Sequence, residues 1–137
     1  MAKVAFSLVL PERELVTTDA DMVVVPGSEG DFGVLPGHIP MITTVRPGVI
    51  ELHDDGKVTA RYIVAGGFAE VTPERCTVLA EEAQPLADVT ADQLAARVRQ
   101  AEEAVEDATA PAAKANAEQA VTVARELQRA QAYYAGR

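Results

Sequence analysis

The chain has 137 residues and a mass of 14.5 kDa, room for one ordinary domain or for a compact domain with an appendage. Its net charge of −9 and pI of about 4.6 argue against a nucleic-acid partner and against direct lipid insertion, because an acidic surface repels phosphate backbones and anionic headgroups. Hydrophobic residues make up 48% and aromatic residues only 4%, with no Trp, so the core is expected to be aliphatic.

In chain order, the opening "MAKVAFSLVLPERELV" carries a short apolar run broken by Pro11, too short to span a membrane and without a convincing cleavage site. Within it Val4, Phe6, Leu8 and Leu10 alternate with Ala5, Ser7 and Val9, which predicts a strand. "DMVVVPG" is an apolar run closed by a Pro-Gly turn. The stretch 30–43, "GDFGVLPGHIPMIT", reads as a loop, with three glycines, two prolines and a lone histidine. "GVIELHDDGKVTARYIVAGG" reads as a hairpin with Asp55-Gly56 at its bend, and "GFAEVT" and "RCTVLAEEA" add two strands. At least seven short strands with closely spaced turns predict a β-sandwich or barrel.

The composition changes near Pro85. Eight of nine glycines lie at or before Gly67 and seven of eight prolines at or before Pro85, whereas 17 alanines fall in residues 87–137. Glycine and proline punctuate turns and alanine favours helix, so the class is α+β, with a β domain over 1–86 and a helix-hairpin domain over 87–137. Thr90 and Gln93 predict a capping box, with Val89 and Leu94 as its hydrophobic staple. The first helix shows a stripe at Leu94, Val98, Ala101, Val105 and Ala108. "DATAPAAK" ends it, and a second helix is expected from about Ala112 to Tyr134 with a stripe at Ala113, Ala117, Ala120, Ala124, Leu127 and Tyr134. Alanine brings few carbons to an interface, so the hairpin's hold is expected to be weak, compatible with a fixed lid or a swinging arm.

The search for chemistry is negative. "PGSEGDFGVLPGH" lacks the Gly-Lys-Ser/Thr ending of a phosphate loop, and its Glu29 and Asp31 repel phosphate. His38 and His53 are the only histidines and Cys76 the only cysteine, which gives no ligand spacing for a metal, no internal disulfide and the expectation of a cytosolic protein. Ser28 has no nucleophile-elbow context. The acidic pairs Asp54-Asp55, Glu81-Glu82 and Glu102-Glu103 are sequence neighbours, which point different ways on regular elements. No catalytic, metal or cofactor residues are therefore assigned. What remains is a proline-stiffened loop, "LPGHIP", with more apolar side chains than a solvated loop needs, the mark of a partner surface. The reading from residues alone leaves open a free-standing small-molecule-binding β-sandwich with a helical lid.

"GSEGDFGVLPGHIPMITTVRPGVI" resembles the signature of the epsilon subunit family of the bacterial F1Fo ATP synthase, the counterpart of mitochondrial delta, at Pro26-Gly27, Gly30, Gly33, Pro36-Gly37-His38, Pro40 and Pro47-Gly48. "YIVAGGFAEV" and "CTVLAEEA" extend the likeness, which spans the chain. The resemblance implies a ten-stranded β-sandwich followed by an antiparallel two-helix hairpin. It implies a non-catalytic subunit of the central stalk that couples rotation of the c ring and gamma shaft to ATP synthesis. It places the chain peripherally on the cytoplasmic face of the bacterial inner membrane. Its implied partners are gamma, the c-subunit ring and, through the hairpin, the alpha and beta catalytic subunits. Carried over residue by residue, Glu29 and Asp31 fall at the c-ring contact, and Leu35, His38, Ile39 and Met41 at the gamma contact. In some members the first helix opens with an ATP-binding segment, Ile/Leu-Asp, two spacers, then Arg-Ala. Here Thr90 stands for its Asp and Gln93 for its Arg. A neutral Gln lacks the charge a phosphate needs, so ATP binding is expected to be weak or absent.

Overall fold

The computed structural model describes residues 2–137. Ten strands come first: β1 (Val4–Val9), β2 (Glu14–Ala20), β3 (Met22–Gly27), β4 (Gly30–Val34), β5 (Met41–Val45), β6 (Gly48–Asp54), β7 (Lys57–Val64), β8 (Gly67–Val71), β9 (Arg75–Ala80) and β10 (Ala83–Pro85). A single 3-10 turn, Leu86–Asp88, leads into the helices α1 (Ala91–Asp107) and α2 (Pro111–Tyr134). The strands form two leaves, β10-β7-β6-β3-β4 and β5-β8-β9-β1-β2, which join where Gly27 of β3 pairs with Val45 of β5. Pairing is antiparallel except between β1 and β9.

Alternation along each strand builds the core. Val4, Phe6 and Leu8 of β1 point inward with Cys76, Val78 and Ala80 of β9, Ala69 and Val71 of β8, and Val23, Val25, Ile50, Leu52 and Val64 of the opposite leaf. Packing is aliphatic, with Phe6 the one fully buried aromatic among the described residues. The predicted hairpin turn is a two-residue loop between paired Asp54 and Lys57, with positive φ at both Asp55 (52°) and Gly56 (74°). Two left-handed residues match the strand twist, and Asp and Gly are the types that tolerate them. At Gly67, φ is +149° and an added Cβ would lie 2.0 Å from the Leu79 carbonyl oxygen, so the β8–β9 contact requires glycine.

Two sequence expectations need correction. The 30–43 stretch is not all loop. Gly30–Val34 is a strand paired with β3, Met41–Val45 is a strand paired with β8, and only residues 35–40 connect them. Val34 is the one buried residue of Gly30–Val34, too little pattern to rise above the glycines and prolines. On α2, Ala113 and Ala120 are exposed, whereas Ala117, Ala124 and Leu127 are buried and Val121, Val123 and Ala130 half-buried. An all-alanine pattern does not fix which face is inward. The helical ends follow prediction: Thr90 Oγ1 accepts from the Gln93 amide (3.1 Å) and Gln93 Oε1 from the Thr90 amide (3.0 Å).

The hairpin lies on the outer face of the first leaf. There Val49 and Ile63 pair across β6 and β7, and with Ala65, Val89, Leu94 and Leu127 they form a second buried cluster flanked by Leu86, Val123, Ala130 and Tyr134. Ion pairs frame it. Arg97 of α1 makes a two-pronged pair with Glu82 (3.0 and 2.8 Å), and Arg125 of α2 pairs with Glu102 of α1 at 2.8 Å.

Candidate functional site

The outer face of the second leaf is covered by none of the described residues. Register brings Thr44, Phe68, Leu79 and Val9 side by side across β5, β8, β9 and β1. Phe68 is 58% exposed, Leu79 50% and Ile42 74%. The 35–40 loop, which leads into β5, also holds bare apolar side chains, with Leu35 55% and Ile39 74% exposed. Phe68 and Leu79, paired in register, and Ile42 on the same face of β5 are bare apolar side chains of the kind that a partner covers.

The loop is pre-organised. His38 N donates to the Leu35 carbonyl (3.1 Å), His38 Nδ1 donates to the Ile39 carbonyl (2.7 Å), and Gly37 N donates to the Pro73 carbonyl (2.8 Å), which ties the loop to the β8–β9 turn. The His38 ring sits 6.5 Å from that of Phe32, tilted by 43°. Leu35 and Ile39 therefore stand in solvent on a fixed backbone, while His38 is half-buried beside Phe32. Met41 differs: it pairs with Val71 and packs half-buried against the sandwich core. Sequence reasoning missed Ile42, Phe68 and Leu79. Their signal was present: in "GFAEV" and "RCTVLA" the inward set is Ala69 and Val71, then Cys76, Val78 and Ala80, which leaves Phe68 and Leu79 on the face where alternation calls for polar residues.

Glu29 and Asp31 occupy different environments. Glu29 stands exposed in the β3–β4 turn. Asp31 pairs with Pro26 at the start of β4, and its Oδ1 accepts from Arg46 Nη2 at 2.6 Å; Arg46 Nη1 also donates to the Gly27 carbonyl at 2.6 Å. Arg46 thereby pins the turn to β5's end. Asp31 and Arg46 also border an open groove of about 870 Å³ beneath α2, with Arg125, Arg129 and Tyr133 on its far wall.

Chemistry is sparse elsewhere. No group of three or more His, Cys, Asp or Glu among the described residues is arranged to hold a metal. Cys76 is buried between the leaves, and burial pushes its thiol up to about 12, which keeps it protonated and unreactive at neutral pH. At the far edge Lys3 bridges Asp21 (3.2 Å) and Asp54 (2.7 Å). The Asp54 hydrogen bond, then that of Asp21, raises the Lys3 ammonium well above the usual lysine range. Asp21 is lowered chiefly by the Asp55 amide and Asp54 chiefly by Lys3. Burial, helped by the carboxylates of Asp31 and Glu51, raises the Tyr134 phenol. Thr90 and Gln93 are occupied with each other, and both terminal nitrogens of Arg97 are taken by Glu82. The opening of α1 thus presents no free cation to a phosphate. Among the described residues no helix is long and apolar enough to cross a membrane.

A sequence model of the β-sandwich domain of the ATP synthase delta/epsilon chain matches residues 3–86, which span the ten strands. The chain belongs to this family. The ATP synthase epsilon chain of Paramagnetospirillum magneticum is 55% identical over 125 residues, covering 91% of this chain and 94% of the relative. That of Rhodospirillum rubrum is 52% identical over 122 residues, 89% and 91% of the two chains. In three dimensions the chain is similar to one in the mitochondrial ATP synthase OSCP/F1/c-ring assembly of Euglena gracilis, with TM-score 0.77, 25% identity and coverage of 95% and 82%. A chain in the central stalk/c-ring of the Tetrahymena thermophila mitochondrial ATP synthase shares the fold, with TM-score 0.69, 16% identity and coverage of 94% and 96%.

Proposed function

We propose that the chain is the non-catalytic epsilon subunit of a bacterial ATP synthase, a part of the central stalk that turns with the c ring and the gamma shaft and couples that rotation to ATP synthesis. Family membership supports the assignment, and the uncovered apolar face of the second leaf carries it to a mechanism. A rotating subunit passes torque through a contact that does not yield. The stiffened 35–40 loop beside two hydrogen-bonded strands is such a contact. Leu35, Ile39, Ile42, Phe68 and Leu79 form the surface that gamma covers, His38 shapes the loop from beneath, and Met41 supports it from the core. Glu29, at the tip of the β3–β4 turn, meets the c ring; Asp31 braces that turn through Arg46. The sandwich over 1–86 and the hairpin over 87–137 act as separate units, the first bound to stalk and ring, the second free to approach the alpha and beta subunits. The subunit belongs to a membrane-associated complex and sits on the cytoplasmic face of the inner membrane through its partners. The hairpin is not an ATP-controlled switch, because Gln93 replaces the cation and Arg97 is engaged.

Co-purification tests the reading: a tagged chain expressed with its own ATP synthase brings gamma out of a detergent extract. Recovery of the chain without gamma or catalytic subunits contradicts it and favours the small-molecule-binding alternative. The ring contact is tested separately. Glu29→Lys with Asp31→Lys lowers proton-driven ATP synthesis in vesicles while assembly with gamma persists; unchanged synthesis removes these residues from the ring.

A further inference from the structure

The last turn of α2 is fastened to the sheet by a cluster that the apolar packing does not require. Glu51 and Arg61 face each other in register on β6 and β7, on the side covered by the hairpin. Arg61 Nε donates to Glu51 Oε2 at 2.8 Å, its Nη1 donates to the carbonyl oxygen of Arg137, and its guanidinium lies 5.4 Å from the centre of the Tyr134 ring. The two side chains are 18% and 14% exposed, the most enclosed arginine–carboxylate pair among the described residues. Beyond α2, Gly136 takes a left-handed turn (φ 79°) that sends Arg137 back over Tyr133, 4.3 Å from its ring centre, while Tyr133 packs edge-on against Tyr134 at 4.8 Å. Every member of the cluster meets Arg61 directly or through Tyr134. A planar fork that spans a carboxylate, a carbonyl and an aromatic face at once is a role lysine cannot fill.

The opposite end of the hairpin is different. Between Ala101 of α1 and Ala117 of α2, the helices hold each other through alanine and half-buried Val105, and the 108–110 link carries no contact to the sandwich cluster. We propose that Arg61 is a latch: it locks the root of α2 to the sheet, so that the docked hairpin opens from its tip and the segment 128–134 leaves last. The device belongs to the chain alone and needs neither nucleotide nor partner.

Amide hydrogen exchange on the full-length chain tests it. In the parent, amides in 103–118 exchange faster than those in 128–134. Arg61→Gln raises exchange in 128–134 by about tenfold, the effect of losing charge-assisted hydrogen bonds from a local opening equilibrium, while the amides of Phe6 and Val78 stay unchanged. Arg125→Gln, which breaks the exposed pair with Glu102, leaves 128–134 within about twofold of the parent. A parent in which 128–134 exchanges as fast as the tip overturns the proposal, as does Arg61→Gln within about twofold of the parent. If Arg61→Gln loosens the sandwich amides too, Glu51→Gln decides: a loosened 128–134 over an unchanged sandwich supports the latch, and an unchanged 128–134 overturns it.

Discussion

The two outer faces of the sandwich carry similar side chains and meet opposite fates. On the first leaf Val49 and Ile63 are almost wholly buried beneath Leu127 and its neighbours. On the second leaf Ile42, Phe68 and Leu79, larger on average, stand at least half exposed. A face that the chain covers itself adds to the stability of the isolated molecule. A face it leaves bare adds nothing until a partner removes it from water, and then its burial becomes binding energy. The same alternating pattern thus serves folding on one side and assembly on the other.

The largest expected effect breaks the bare face. Phe68→Glu with Leu79→Glu places charge at the centre of the patch, where truncated hot spots cost about 2 kcal/mol or more each and buried charge costs further. Gamma binding is expected to fall at least about a thousandfold, read by competition with the parent chain. Because both side chains are already mostly solvated, the melting temperature of the isolated chain stays within about 2 °C. A chain that binds gamma normally with both charges in place moves the interface elsewhere.

Next is the covered face. Leu127→Ala removes the largest buried side chain that α2 contributes to the cluster of Val49 and Ile63, and a buried Leu→Ala change costs about 2–5 kcal/mol. The loss falls on docking of the hairpin and not on the sandwich core, so amide exchange rises throughout α2 while β1 and β9 keep their protection. Equal loosening of both would show that the two clusters unfold as one unit.

How much of this contrast was legible beforehand depends on side-chain size and spacing. The split near Pro85, the Asp55-Gly56 turn and the Thr90–Gln93 box rest on local rules, and each is present in the structure. β2, β4, β5 and β10 escaped the reading from residues alone, because they are polar, glycine-interrupted or three residues long, and their pairing is set by distant strands. The face of α2 escaped because alanines at every turn carry little hydrophobic contrast. Of the candidate contact residues, Leu35 and Ile39 stand exposed and Met41 turns toward the core. That distinction follows from strand register, which no window of sequence contains. Phe68 and Leu79 were readable, but only to a reader who asked why alternation fails on a strand's polar side.

A smaller effect sharpens the boundary of the covered face. Thr90→Ala removes one half of the capping box at the root of α1 and costs about 1 kcal/mol. The change is confined to the first turn of α1 and its staple of Val89 and Leu94. Exchange at Gln93 and Leu94 should rise about fivefold, while gamma binding through the second leaf is unaltered. A loss of gamma affinity would mean that the faces communicate.

The smallest effect concerns a contact that belongs to neither face. Lys3 precedes β1 in the second leaf, and Asp54 ends β6 in the first, so the Lys3–Asp54–Asp21 cluster ties the leaves at the edge away from the Gly27–Val45 junction. Lys3 is exposed and the two carboxylates are partly so, so Lys3→Met is expected to lower the melting temperature by only about 1–3 °C at pH 7. The pH dependence gives the change its signature. Asp21 and Asp54 are lowered in the fold, so their contribution is present above the ordinary carboxylate value and is lost as pH falls through their folded values. Lys3 is raised, so its contribution is complete below the ordinary lysine value and is lost only as pH rises through the folded one. Between these limits the parent should exceed Lys3→Met by a constant margin, and the two melting curves should converge as the medium is acidified below the carboxylate range. Convergence should be equal whether stability is read from the Leu127 region or from β9, because a clasp between leaves supports both faces alike. A margin that persists in acid would assign the effect to packing of the lysine stem and not to its charge.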